Sequence, residues 1–179
     1  IVEKIKNEKD PKIEVHLYQS LIKKDKLEWV LEKGTELGVK FFHPMISERS
    51  VKTGINMERA RRIVQEATEQ SGQDKIPGVA ETVKFKDAVE VPGNDGLNML
   101  FDSGGNSGSP TFAGSRTSKS SETASIVNIF IGPEGGFSEK ETDTAKNTGF
   151  SVVSLGPRVL RSETAAIVAS AFHLTLNNG

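Results

Sequence analysis

The chain has 179 residues, 35% apolar and 26% charged, with a formal net charge of -1. That balance excludes nucleic-acid binding through an overall positive field, and the absence of cysteine excludes disulfides, zinc thiolates and thiol nucleophiles. No apolar run approaches the roughly 18 to 20 residues that a membrane-spanning helix needs.

The opening IVEKIKNEKDPKIEV reads as the end of one strand, a turn and the start of another, with neither an initiating Met nor a signal peptide. A further N-terminal piece is expected ahead of it. KIEVHLYQSL alternates Ile13, Val15 and Leu17 with polar neighbours, the period of a strand. KKDKLEWVLEKGTELG then places Leu27, Val30, Leu31 and Leu37 at helical spacing, with Trp29 expected in the core and Gly38 as C-cap. VKFFHPMI is a short strand. NMERARRIVQEATEQSG is a helix with Ala60, Ile63, Val64 and Ala67 on one face, ending at Gly72. VAETV predicts a short strand, Lys86 to Val89 a short helix, and LNMLFD a strand again.

Residues 103–125 are dominated by Gly, Ser and Thr, with almost nothing that can pack, and read as a surface loop inserted in the domain. After it, IVNIFI is nearly all apolar, as a strand buried on both faces would be. Ser138 and Glu141 form a capping box that starts the next helix. SVVSLG is the last strand, and SETAAIVASAFHLTL is a helix with almost no polar face, expected in the core or in a subunit interface. Strands alternating with helices at this rhythm predict a mostly parallel α/β sheet, whose ligands sit outside the carboxyl ends of the strands.

Two Gly-rich turns fall at such ends. GPEGG (132–136) has neither the Lys-Ser/Thr pair of a P-loop nor the spacing of a dinucleotide fingerprint. As an isolated motif it is either a structural turn or a cradle for a ligand that needs close backbone approach. LGPRVLRSETA (155–165) projects Arg158 and Arg161 just before a helix, which suits oxyanion recognition or pairing with Glu163. ERARR (58–62) is a small basic cluster, a solvated face or an RNA contact. His16, His43 and His173 lack metal-site spacing, and Ser138 lacks a nucleophile motif.

LIKKDKLEWVLEKGTELGV (21–39), SERSV (47–51), EATEQSGQDKIP (66–77), IFIGPEGGFSEKE (129–141) and VSLGPRVLRSETA (153–165) together resemble the RsmE family of the SPOUT superfamily. Those enzymes methylate N3 of a uridine in 16S ribosomal RNA. The resemblance implies an α/β-knot, a Rossmann-like parallel core with a C-terminal deep trefoil knot, rare as knots are. It divides the chain into residues 1–11, a remnant of a largely missing N-terminal PUA-like barrel, and residues 12–179, the methyltransferase domain.

It further implies S-adenosylmethionine as cofactor, 16S RNA of the small ribosomal subunit as partner, a homodimer through the knot, no metal, no membrane, and a cytoplasmic (or organellar) location. The cofactor residues it implies are Phe101, Ile131, Gly132, Pro133, Gly135, Gly136, Leu155, Gly156, Val159, Leu160, Thr164 and Ala165. Arg161, Arg158 and Glu163 are the implied catalytic groups, with Glu134 holding its loop, and Lys23, Lys26, Arg49 and Arg62 the implied RNA contacts. Two departures stand out. The family commonly has an arginine where this chain has Gln73, and the 103–125 insertion is longer than usual. A SPOUT enzyme for another RNA, such as transfer RNA, and a non-catalytic ribosome-binding module are the alternatives.

Overall fold

The computed structural model describes residues 13–92, 96–102 and 126–176. The expectations for residues 1–11 and for the 103–125 insertion lie outside the described residues.

The chain runs β1 (Glu14–Ser20), α1 (Lys24–Leu37), β2 (Phe41–Ile46), α2 (Met57–Ser71), β3 (Gly78–Val79), β4 (Val83–Lys84), α3 (Phe85–Ala88), β5 (Leu97–Phe101), β6 (Ile126–Ile131), α4 (Glu139–Asn147), β7 (Ser151–Val153) and α5 (Ser162–Leu176). Every strand pairing is parallel, in the order β3-β2-β1-β6-β5-β7, with β4 also on β2. The parallel α/β expectation holds.

Two apolar cores flank this sheet because alternate side chains of each strand face opposite ways. Val15, Leu17, Met99, Phe101, Val127, Ile129 and Ile131 meet α1, α2 and α5 on one face. Tyr18, Met45, Leu100 and Phe130 meet Phe85, Phe137, Ala145 and Phe150 on the other. IVNIFI is nearly all apolar because each of its faces is covered; its one polar residue, the buried Asn128, donates from Nδ2 to Asn98 Oδ1 at 2.8 Å, and Tyr18 stacks on Phe130 with centroids 4.1 Å apart.

Helix ends follow the sequence signals. Gly38 and Gly72 take left-handed C-cap conformations at φ 101° and 66°, which glycine adopts without a Cβ penalty. The capping box at Ser138 is formed in full.

Three expectations need correction. Trp29 is 40% exposed. The buried stripe of α1 runs through Leu27, Val30, Leu31, Gly34 and Thr35, and a step of one residue turns about 100° around the helix, carrying Trp29 off it. The strand expected at 79–83 is split into β3 and β4, each two residues long, on either side of Ala80 to Thr82. The last strand stops at Val153, so Ser154 to Gly156 already belong to the turn, where Ser154 Oγ donates to the Gly156 carbonyl at 3.0 Å.

Candidate active site

A cleft of about 1150 Å³ opens at the carboxyl edge of the sheet, where β5, β6 and β7 end. Strand register brings its parts together: Phe101 lies beside Ile131 on one side and beside Val153 on the other. The GPEGG turn leaves β6 and the LGPR turn leaves β7, so both face one space. Ile131, Gly132, Pro133, Gly135, Gly136, Phe101, Leu155, Leu160 and Ala165 line it, as does Val159, which is 83% exposed. Gly156 and Thr164 do not line it.

Each glycine has its own reason. A Cβ on Gly132 would stand 3.2 Å from the backbone of Gly136 and Phe137, so the turn closes on itself there. Gly136 has φ 68° and Gly156 φ 113°, both in the left-handed region. An added Cβ on Gly156 would meet nothing within 4 Å, so conformation, not space, demands that glycine.

The two turns are joined from beneath. Ser162, the first residue of α5, donates from Oγ to the Gly132 carbonyl at 2.5 Å and accepts from Gln19 Nε2 at 2.9 Å. Gln19 sits on β1 in register with Ile131 and is buried. Sequence reading missed this relay: a lone Gln in a strand carries no motif, and Ser162 looked like an ordinary helix start.

Arg158 and Arg161 both reach the cleft and are exposed. Among the described residues neither lies within ion-pair distance of a carboxylate. The pairing of these arginines with Glu163, one reading of the sequence, is not formed. Glu163 is instead buried and pairs with Lys26 of α1, Nζ to Oε1 at 3.5 Å. Lys23 also lines the cleft, and its backbone N–H donates to Glu134 Oε1 at 3.5 Å, tying the exposed carboxylate of GPEGG to the start of α1.

Arg49 lines the cleft and binds the loop itself, donating from Nη1 to the carbonyls of Gly135 and Phe137 at 2.8 and 3.2 Å. Arg62 is elsewhere, on α2, with its guanidinium 4.0 Å from Glu66. Its neighbour Arg59 is salt-bridged to Glu28 of α1, so part of the ERARR cluster secures helix packing. Gln73 donates to the Thr35 carbonyl at 2.5 Å, fastening the end of α2 to the end of α1. Asp102, Glu139, Asp143 and Lys146 complete the rim and had no sequence signal.

The histidines lie away from the cleft. His16 and His43 stack at 5.5 Å and His43 lies on Tyr18 at 4.2 Å. Burial pushes His43 and His173 down to about 4 and lowers His16 as well. Among the described residues no cluster of three or more His, Asp or Glu could hold a metal, and no helix is long and apolar enough to cross a membrane.

With this geometry in view, comparison with known proteins gives the class. A family model described as an RNA methyltransferase domain matches residues 8–174. The chain is 31% identical over 176 residues to ribosomal RNA small subunit methyltransferase E of Bacillus subtilis, covering 94% of this chain and 68% of that protein. It is 37% identical over 174 residues to the protein of the same name in Synechocystis, covering 96% and 56%. The crystal structure of ribosomal RNA small subunit methyltransferase E from Neisseria gonorrhoeae bound to S-adenosyl methionine superposes with a TM-score of 0.83 at 29% identity, covering 97% of this chain and 70% of that one. The chain belongs to the ribosomal RNA small subunit methyltransferase E family, and spans between about half and three quarters of those relatives' lengths.

Proposed function

We propose that the protein is an S-adenosylmethionine-dependent methyltransferase that modifies N3 of a uridine in 16S ribosomal RNA. The observation that carries this reading is the convergence of both Gly-rich turns and the end of β5 on one cleft with two arginines facing into it. The residues suit the cofactor. Phe101, Ile131, Leu155 and Leu160 offer apolar walls for a nucleoside, and the glycine turns let backbone groups approach closely.

Gly132, Pro133, Gly135, Gly136, Leu155, Val159, Leu160 and Ala165 are assigned to the cofactor site, and Gly156 and Thr164, which do not line the cleft, are assigned to shaping the segment that does. When bound, S-adenosylmethionine supplies an electrophilic methyl group on a sulfonium. The uracil N3 must lose its proton before its lone pair can attack, and the negative charge then spreads over O2 and O4. Arg158 and Arg161 face the cleft without carboxylate partners among the described residues, so their charge is available to that anion and to flanking phosphates. Glu163, held by Lys26, is the assigned proton acceptor. Much of the rate comes from positioning, because the transfer is a displacement between two held reactants.

RNA contact is assigned to Lys23, Lys26 and Arg49 on the cleft wall, with Arg62 further out. A homodimer completes the site: α5 is apolar nearly all round, yet Val168 on it and Val159 beside it are exposed. The segment from β7 through α5 forms a trefoil knot in this reading, residues 12–179 are the methyltransferase domain, and the working compartment is the cytoplasm.

The experiment has two parts. Calorimetry with S-adenosylmethionine should give binding, and ribosomal RNA from a deletion strain should lack one N3-methyluridine that the restored gene returns. Cofactor binding with an intact N3-methyluridine complement in the deletion strain would point to another RNA. Absence of cofactor binding would overturn the enzymatic reading.

A further inference from the structure

The Ser47–Ser50 turn leaves β2, which is not a neighbour of β6 in the sheet, since β1 lies between them. It nevertheless crosses to the GPEGG loop and binds it at several points. Arg49 bridges the carbonyls of Gly135 and Phe137. Glu48 accepts from Ser138 Oγ at 2.7 Å through its side chain, and its backbone N–H donates to Glu141 Oε1 at 2.8 Å. Glu141 at the same time accepts from the Ser138 N–H at 2.9 Å, so the capping box of α4 and the turn share one carboxylate. The turn is itself braced, with the Ser47 N–H donating to Ser50 Oγ at 3.1 Å.

We infer that Glu48 and Arg49 are positioning residues that set the shape of the cofactor loop from outside. Resting on the cleft being the S-adenosylmethionine site, this gives a role to residues that the assignment of Arg49 to RNA does not cover. The physical argument is one of direction. A loop that offers N–H groups to a ligand must keep its carbonyls turned elsewhere, and Arg49 takes up the carbonyls of Gly135 and of Phe137 just after it. A charged donor is suited to this, because its hydrogen bonds to neutral acceptors are stronger than those between neutral groups. Ser162 holds the Gly132 carbonyl, so the loop is gripped at its first glycine, at its second and just after its third.

The test is calorimetric titration of the full-length protein and of Arg49→Ala, Arg49→Lys, Glu48→Ala and Glu48→Gln with S-adenosylmethionine. The same proteins are titrated with 5′-methylthioadenosine, which lacks the amino-acid part. Arg61→Ala, which removes an exposed pair with Glu81, is the control. Arg49→Ala should weaken both ligands by about tenfold, the scale of one charged hydrogen bond. Arg49→Lys should recover part of the affinity and Glu48→Gln most of it, with the melting temperature unchanged. In steady state KM for the cofactor should rise while kcat at saturation holds.

If wild type binds neither ligand, the assignment of the cleft fails, not the grip of the turn. If wild type binds and Arg49→Ala binds equally well, the inference is overturned. Loss for S-adenosylmethionine alone, with methylthioadenosine unaffected, would mean that Arg49 meets the ligand carboxylate directly and would likewise overturn it. Loss of RNA affinity alone would leave Arg49 an RNA contact and nothing more.

Discussion

The Ser162 hydroxyl donates to the Gly132 carbonyl at 2.5 Å while accepting from Gln19, so one buried oxygen joins the start of α5, the GPEGG turn and β1. Replacing Ser162 with Ala strands the Gly132 carbonyl and removes one of the two acceptors that Gln19 Nε2 uses. Losing such a buried partner costs about 1 to 3 kcal/mol. Urea denaturation of Ser162→Ala should show that loss, together with weaker cofactor binding. Ser162→Thr, which keeps the hydroxyl, should retain more of both.

Arg161 is exposed, lines the cleft and has no carboxylate partner among the described residues. Arg161→Ala should therefore leave folding and cofactor affinity nearly intact while lowering single-turnover methyl transfer. Removal of one preorganised charge-stabilising group typically costs about a hundredfold to a thousandfold. Unchanged turnover would refute a catalytic role.

Lys26 and Glu163 form a pair in which the carboxylate side is the more buried. Lys26→Met leaves Glu163 without its cation in a buried place, whereas Lys26→Met with Glu163→Gln removes the charge from both. Contacting charged residues couple by about 1 kcal/mol. A double-mutant cycle on stability should return coupling of that size, with the single Lys26 variant the less stable of the two.

Acid sensitivity follows from the histidines. Burial, helped by the charge of His16, pushes His43 down to about 4 from an ordinary 6.5. The unfolded chain takes up that proton first, so the neutral form favours folding fully above 6.5, and this contribution is lost as pH falls from 6.5 toward about 4. His16 and His173 shift in the same direction. Urea midpoints above 6.5 and midway down should differ, and His43→Phe, which keeps a ring on Tyr18, should flatten the decline.

The architecture was legible because each local signal agreed with the whole. Alternation in KIEVHLYQS, the nearly all-apolar IVNIFI, glycines at helix ends and the Ser138 capping box all report nearest-neighbour physics. Trp29 was misplaced because helical spacing locates a stripe only to within about one residue, and one residue suffices to expose a ring. At the site, the glycines and arginines could be read from two short motifs. The Gln19 relay, the Lys26–Glu163 pair and the rim residue Asp102 could not, since they join parts of the chain far apart in sequence.

The strand order has a consequence for how the molecule comes into being. The two central strands are β1, from residues 14–20, and β6, from residues 126–131, paired along six registers. The middle of the sheet therefore unites the first described strand with one that leaves the ribosome more than a hundred residues later. Until then, among the described strands, β1 has only β2 of its final partners to pair with, and α5, which covers the β1–β6 seam, arrives later still. Sheets closed by such distant pairings assemble slowly. The hydrogen bond from Ser162 to Gly132 therefore waits for α5, and the cleft takes its final form only after that helix has been made.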